Sequence, residues 1–147
     1  MDWFNIYGLC FVAVIMIPNI VFAVRCRDGF ENKWNNKAVE ALEQVGRFGC
    51  MAFMIVNIPP LCFGRLSPGV FAVYLGVDIG LLIAYCLIWI ICFRKNNLFR
   101  ALALSIIPSA LFLFSGIMLL SVPLIAASAI FAPCHIAISY KNAVTDK

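Results

Sequence analysis

The sequence predicts an all-helical, multi-pass membrane protein, a bundle of five transmembrane helices forming a single integral membrane domain over residues 1–147. The first reason is composition: 64% of the residues are hydrophobic and 12% are charged, against about 45–50% and about 25% in soluble domains. The second is the presence of apolar runs of about 20 residues, the length that crosses a bilayer as a helix. The third is that the basic residues lie almost entirely in alternate loops.

The first predicted helix covers residues 3–24. It lacks the basic n-region of a signal peptide, and no A-x-A cleavage site follows it, so we expect the helix to be retained in the membrane. The polar stretch after it contains "NKAVEALEQVGR". This pattern predicts a short interfacial helix near residues 36–46, capped by Asn35 or Asn36.

Four further spans are predicted, over residues 48–64, 70–93, 99–120 and 123–140. The first of these is short and contains Pro59-Pro60 near its end. The last two belong to one nearly uncharged stretch, far longer than the roughly 20 residues that a bilayer needs. We expect this stretch to fold back at "SVP", residues 121–123, because Pro123 suits the first turn of a new helix.

The basic residues predict the orientation. With five spans, Arg65 lies alone on one side of the membrane. The other ten basic residues lie on the opposite, cytoplasmic side: Arg25, Arg27, Lys33, Lys37, Arg47, Arg94, Lys95, Arg100, Lys141 and Lys147. The N-terminus is thus predicted outside and the C-terminus inside, in a cell or inner membrane. The alternative, a re-entrant hairpin at residues 48–64, would move Arg94, Lys95 and Arg100 to the wrong side.

Asp78 is the one acidic residue inside a predicted span. A charged carboxylate at the centre of a membrane helix costs about 2.5–3.5 kcal/mol on insertion scales, so Asp78 should face protein or a water-filled cavity. Helical spacing puts Tyr74, Tyr85 and Trp89 on the same face as Asp78. We expect this face to line the interior of the bundle.

Asn57 is expected at a depth similar to that of Asp78, since each lies eight residues from the outer end of its span. The Pro59-Pro60 pair cannot donate to the carbonyls four residues back, which then need other partners or line a cavity. These groups predict a polar cluster in the outer half of the membrane. Its members are Asp78, Tyr74, Asn57 and the two freed carbonyls.

His135 and Asn19 are predicted to lie nearer the cytoplasm, as candidates for a second polar layer. His135 is the only histidine, so it cannot supply most of a metal site. Each residue also has a simpler alternative role, as a packed side chain or as a hydrogen-bonding group between helices.

Gly76 and Gly80 form a G-x-x-x-G pattern on the helix face opposite Asp78. Small residues at this spacing let two membrane helices approach closely. The pattern predicts helix packing at these glycines, either within the bundle or between two copies in a homodimer.

No catalytic residue, metal site or cofactor is predicted. The seven cysteines include no C-x-x-C pair, and no nucleophile with an oriented base or nucleotide-binding motif is present. A lipid-modifying enzyme that uses Glu40 and Glu43 is the enzymatic alternative. The net charge of +4 does not indicate nucleic-acid binding, because the basic residues follow the positive-inside pattern.

The function predicted from these features is the binding or transport of a small, cationic solute within the bundle. An acid flanked by aromatic rings suits an amine or quaternary ammonium ion, with a proton or metal cation as the next candidate. The predicted ligand-binding residues are Asp78, Tyr74, Tyr85 and Asn57. The alternative is a structural or accessory subunit of a membrane complex, in which the polar groups only join helices and a partner subunit contacts the interfacial helix.

Overall fold

The computed structural model describes residues 3–26, 34, 36–63, 67–93 and 97–145. Its helices are α1 (Ile6–Arg25), α2 (Lys37–Ile55), α3 (Pro68–Cys92), α4 (Leu98–Met118) and α5 (Val122–Thr145), with a 3₁₀ turn at Pro59–Leu61. Helices α1, α3, α4 and α5 are each long and apolar enough to cross a membrane. The predicted all-helical fold is confirmed, with four helices that could span a membrane.

The five helices pack as a ring. Helix α1 contacts α2 and α3, α3 packs against α4, α4 packs against α5, and α5 returns to α2. Helices α2 and α3 are consecutive in sequence, yet α1 lies between them. The apolar core that the ring encloses includes Phe11, Ile15, Leu82, Leu111 and Phe112.

Contacts at the two ends of the bundle define the direction of each helix. At one end, the guanidinium of Arg100 lies over the ring of Phe22, 4.7 Å from its centroid. At the opposite end, the backbone N–H of Phe63 donates to the carbonyl of Leu120 at 3.2 Å. The chain runs up and down between these ends, and α2 together with residues 56–63 makes one complete pass. The first end is named the basic end, because Arg25, Lys37, Arg100 and Lys141 lie near the ends of their helices there.

Helix α2 differs from the two separate elements that the sequence predicts between residues 36 and 64. The sequence predicts an interfacial helix near residues 36–46 and a separate span over 48–64, whereas the structure has one helix that ends at Ile55. The predicted boundary near residue 47 is wrong because a single buried stripe, with helical spacing, continues through it. That stripe consists of Glu43, Gly46, Cys50 and Met54.

The end of α2 follows from Pro59-Pro60. These prolines cannot donate to the carbonyls four residues back, so the helix stops before them. The carbonyl of Ile55 accepts a hydrogen bond from the backbone N–H of Asn5 at 2.8 Å. The hydrogen-bond donor that this carbonyl needs is thus supplied by Asn5, the residue that caps α1. Isolated antiparallel bridges then join Phe4 to Val56 and Cys62 to Ser121.

The connection between α4 and α5 lies where "SVP" predicts it. Helix α4 ends at Met118 and α5 begins at Val122, so Pro123 lies in the first turn. The intervening residue Leu120 has a φ of 46°, the left-handed region that L side chains seldom occupy. This single residue lets the chain reverse within three positions.

Two glycines allow α2 to contact its neighbours at very short range. A Cβ added to Gly8 would lie 2.0 Å from the carbonyl oxygen of Met54. A Cβ added to Gly46 would lie 2.8 Å from the backbone nitrogen of Phe131. Both obstacles are backbone atoms, so neither position has room for a larger residue.

Gly76 and Gly80 lie on the outer surface of α3. An added Cβ at either position would meet no atom within 4 Å in the described part of the chain. The two glycines therefore contact no neighbouring helix within the bundle. Their predicted role in packing against a second copy or a partner stays a prediction.

Candidate functional site

Asp78 lies inside the bundle, on the face of α3 that the sequence predicts. The residue is 0% exposed, and Tyr74, Tyr85 and Trp89 on the same face are 1–3% exposed. The predicted orientation of this stripe toward the interior is confirmed. The carboxylate is thereby removed from any surrounding solvent or lipid.

Ser115 of α4 supplies the hydrogen bond to Asp78. Its hydroxyl donates to Oδ2 of the carboxylate at 2.6 Å. Within the described residues, the second oxygen, Oδ1, is buried and has no hydrogen-bond partner. A buried carboxylate with one vacant oxygen is costly as a bare anion, and a bound cation or a proton removes that cost.

The predicted cluster of Asp78 with Tyr74 and Asn57 does not form as expected. The hydrogen bond to Asp78 comes from Ser115, whereas the Tyr74 hydroxyl accepts a bond from the side-chain amide of Asn5 at 3.4 Å. Asn57 is buried, and its backbone N–H donates to the carbonyl of Trp3 at 3.0 Å. The reason is the ring order: α3 packs against α1 and α4, while α2, which leads into Asn57, packs against α1 and α5.

The second polar layer divides into two separate pairs. Asn19 donates to the Tyr85 hydroxyl at 2.8 Å and to the carbonyl of Ile15 at 2.8 Å, so it joins α1 to α3. His135 bonds instead to Glu43, joining α5 to α2. Asn19 and His135 therefore have different partners, because α1 and α5 occupy different sides of the ring. Their predicted role as a second polar layer stays a prediction.

Glu43, Arg47 and His135 form a compact group, here named the ion cluster. His135 Nδ1 lies 2.8 Å from Glu43 Oε1, and Arg47 Nε donates to the same oxygen at 3.0 Å. The Glu43 side chain is 3% exposed.

Sequence reasoning missed Ser115 and the ion cluster as polar partners. Ser115 carries no pattern that separates it from other serines in apolar helices. The ion cluster has a weak signal, since Glu43 and Arg47 stand four residues apart on a helix that also carries regularly spaced small residues. Glu40, the other acid of α2, is exposed.

Trp89 belongs to an aromatic cation-binding site that is occupied by the protein's own Arg100. The guanidinium of Arg100 lies 4.7 Å from the centroid of the Phe22 ring and 5.7 Å from that of Trp89. It also donates to the carbonyl of Phe93 at 3.3 Å. The aromatic rings at the basic end therefore bind an internal arginine, which leaves Tyr74 and Tyr85 as the other aromatic residues on the buried face of α3.

Within the described segments, no three His, Cys, Asp or Glu side chains are grouped as a metal site would require. The seven cysteines are free thiols. In comparisons with known proteins, the chain matches no family model, no curated protein and no solved structure. The function is therefore argued from the geometry of the bundle.

Proposed function

We propose that this protein binds a small cation at Asp78, inside a membrane-embedded bundle, and that the site serves the uptake or transport of that cation. One observation carries the proposal: Asp78 is fully buried, with Oδ2 bonded to Ser115 and Oδ1 without a partner in the described chain. Oδ1 is thus the atom that a ligand would contact.

The surroundings of Asp78 favour a ligand of small size. The residue has no exposed surface, and the hydroxyls of Tyr74 and Tyr85 are engaged with Asn5 and Asn19. A proton, an alkali-metal ion or a primary ammonium group fits an enclosed carboxylate better than a bulky quaternary ion. The aromatic rings remain available for cation–π attraction.

We further propose that α2 and residues 56–63 form a fifth crossing of the membrane. From Leu42 onward the exposed surface of α2 is largely apolar, because Leu42, Val45 and Phe48 are 50–66% exposed while Glu43 is buried. The exposed charged residues, Lys37 and Glu40, lie at the start of the helix. A helix whose later turns bury an acid and expose apolar side chains suits a lipid environment. This pattern supports a crossing that composition alone would miss.

The proposed orientation has the N-terminus outside and the basic end in the cytoplasm. Arg25, Lys37, Arg100 and Lys141 all lie at the basic end of the described bundle, as the positive-inside rule favours. With five crossings, α1 begins at the opposite end and α5 finishes at the basic end. This orientation supports a multi-pass protein of a cell or inner membrane.

The first test is the thermal unfolding of purified wild type and Asp78→Asn with a panel of sodium, lithium, ethylammonium and choline salts. A cation present at about 100 times its Kd should stabilise the wild type by about 2.7 kcal/mol. Asp78→Asn should lose this response, because an amide cannot neutralise a cation. Ser115→Ala should retain a response of altered size, since the carboxylate remains but its orienting donor is gone.

Glu40→Gln is the matched control, because it removes an exposed carboxylate and should leave the ligand response unchanged. An unresponsive wild type, together with an Asp78→Asn variant that is equally or more stable, would contradict the proposal. Asp78 would then be a neutral residue that only joins α3 to α4.

A second candidate function, an accessory subunit, is favoured by the open surface of Gly76 and Gly80. These residues leave a smooth strip on the outside of α3, where another membrane helix could approach closely. Co-purification from native membranes discriminates between the candidates. A stoichiometric partner would support the subunit, and a monodisperse protein that binds cations alone would count against it.

A further inference from the structure

The buried face of α3 leads from Asp78 to the basic end of the bundle. Leu82, Tyr85 and Trp89 follow Asp78 on this face. Trp89 is eleven residues beyond Asp78, which corresponds to about 17 Å along the helix axis. The shortest course for a cation between Asp78 and the basic end therefore follows these side chains and ends near Trp89.

Three helices meet around one guanidinium at that end. The rings of Phe22 in α1 and Trp89 in α3 have centroids 4.9 Å apart, and each residue is 3% exposed. The ring of Phe93, just after α3, lies 5.6 Å from Phe22 and 6.1 Å from Trp89. Arg100 of α4 places its guanidinium over Phe22 and Trp89 and donates to the carbonyl of Phe93. Arg100 and these three rings are here named the Arg100 cluster.

Neither helix stability nor anchoring at the membrane surface explains the position of Arg100. The residue lies in the first turn of α4, where the helix dipole favours acidic side chains over basic ones. An arginine that anchors a helix end extends its guanidinium toward the lipid headgroups, whereas Arg100 directs it over two buried rings. The guanidinium, which is always charged, thus covers the end of the buried face of α3.

Uncharged aromatic groups lie on the other side of Asp78, toward the end opposite the basic end, here named the outer end. Tyr74 is one turn from Asp78, and its hydroxyl accepts from Asn5 at 3.4 Å, longer than a usual hydrogen bond. The rings of Phe11 and Phe71 pack against Tyr74, with centroids 5.8 and 6.3 Å away. Aromatic faces attract a passing cation, whereas a guanidinium repels it. The two directions from Asp78 therefore differ in how they act on a cation.

We propose that the Arg100 cluster is a barrier that prevents the cation at Asp78 from exchanging with the basic end, so that the site exchanges with the outer end. Arg100 thus determines the direction of exchange, and release at the basic end requires its guanidinium to leave the rings. This inference rests on the proposed binding of a cation at Asp78. It adds to that proposal a separate role for each end of the bundle.

The test measures from which end a cation protects Asp78 against chemical modification. Sealed vesicles of both orientations carry the full-length protein, and sodium, lithium or choline chloride is added only to the external medium. Dicyclohexylcarbodiimide, a membrane-permeant reagent for carboxyl groups, then modifies Asp78, and mass spectrometry quantifies the product. A cation at about 10 times its Kd should slow the modification about tenfold when it is added at the outer end. The same cation added at the basic end should leave the rate unchanged.

Variants of Arg100 then separate a barrier from a merely structural residue. In Arg100→Ala, the cation should protect Asp78 from both ends, because the guanidinium is gone. Arg100→Lys should keep the one-sided protection, since an ammonium group also binds aromatic faces and repels cations. Arg25→Ala is the matched control: Arg25 is an exposed arginine in the last turn of α1, and its removal should change nothing.

Equal protection from both ends in the wild type would overturn the barrier, and this result decides even if Arg100→Ala fails to fold. An Arg100→Ala protein that responds like the wild type, or that loses protection from the outer end, would also overturn it. An Asp78 that the reagent never modifies would contradict exchange with the outer end. Absence of protection from either end, with Asp78 modified, would instead contradict cation binding at Asp78, so the failure of the proposed function is recognised separately.

Discussion

The Gly46→Leu variant is expected to lose the folded bundle. A Cβ at this position would lie 2.8 Å from the backbone nitrogen and Cα of Phe131, and helix backbone cannot rotate aside as a side chain can. Overpacking of a core costs about 1–3 kcal/mol, and occasionally more. We expect the upper part of that range or beyond, because leucine adds three more carbons at the α2–α5 crossing. Thermal unfolding followed by circular dichroism would measure the loss.

Gly76→Leu is the matched control, with the same change on the open face of α3. No atom of the described chain lies within 4 Å of a Cβ there, and leucine is the better helix former by about 1 kcal/mol. Stability should be unchanged or slightly raised. Equal destabilisation at both positions would contradict the close crossing at Gly46. Gel filtration of the same variant tests the homodimer, since an oligomer unaffected by Gly76→Leu would count strongly against that interface.

The Glu43→Gln variant should be the second most damaging change. Removing one partner of a buried ion pair costs about 3–5 kcal/mol, because a charge remains without compensation. Arg47 is 37% exposed, so water offsets part of the cost, and we expect about 2–3 kcal/mol. The loss would appear as a lower midpoint of thermal unfolding near neutral pH.

Glu40→Gln provides the reference for this change, because Glu40 is exposed and its removal should cost almost nothing. A triple variant, with leucine replacing Glu43, Arg47 and His135, should recover much of the stability, since apolar side chains can replace a buried ion pair at little cost. A Glu43→Gln protein as stable as Glu40→Gln would mean that the ion cluster contributes no stability.

The interior face of α3 was predictable from the sequence, whereas the partner of Asp78 was not. Asp78, Tyr74 and Tyr85 share a face by helical spacing alone, and the structure buries all three. Ser115 is one of several buried serines, and others such as Ser109 and Ser128 donate to a carbonyl of their own helix. Nothing in the local sequence distinguishes the serine that reaches across to a carboxylate.

The limits of the helices were predictable to within a few residues, except around α2. Hydropathy assigns Glu43 and Arg47 to water, and so predicts a surface helix near residues 36–46. The burial of Glu43 depends instead on its contact with His135, which is too distant in the sequence for a local hydropathy calculation to include. The glycines show the same limit: the regular pattern at Gly76 and Gly80 is exposed, while the isolated Gly46 makes the close crossing.

The contact between Glu43 and His135 joins residues 92 positions apart in the chain. A ribosome that adds about 5–20 residues per second needs roughly 5–18 seconds to go from Glu43 to His135. Throughout that interval Glu43 has Arg47 but lacks its other partner, so the interior position of α2 is not yet stabilised. The interior position of α2 is therefore stabilised only once α5 has been synthesised. The three hydrophobic helices α1, α3 and α4 can already be in the membrane by then.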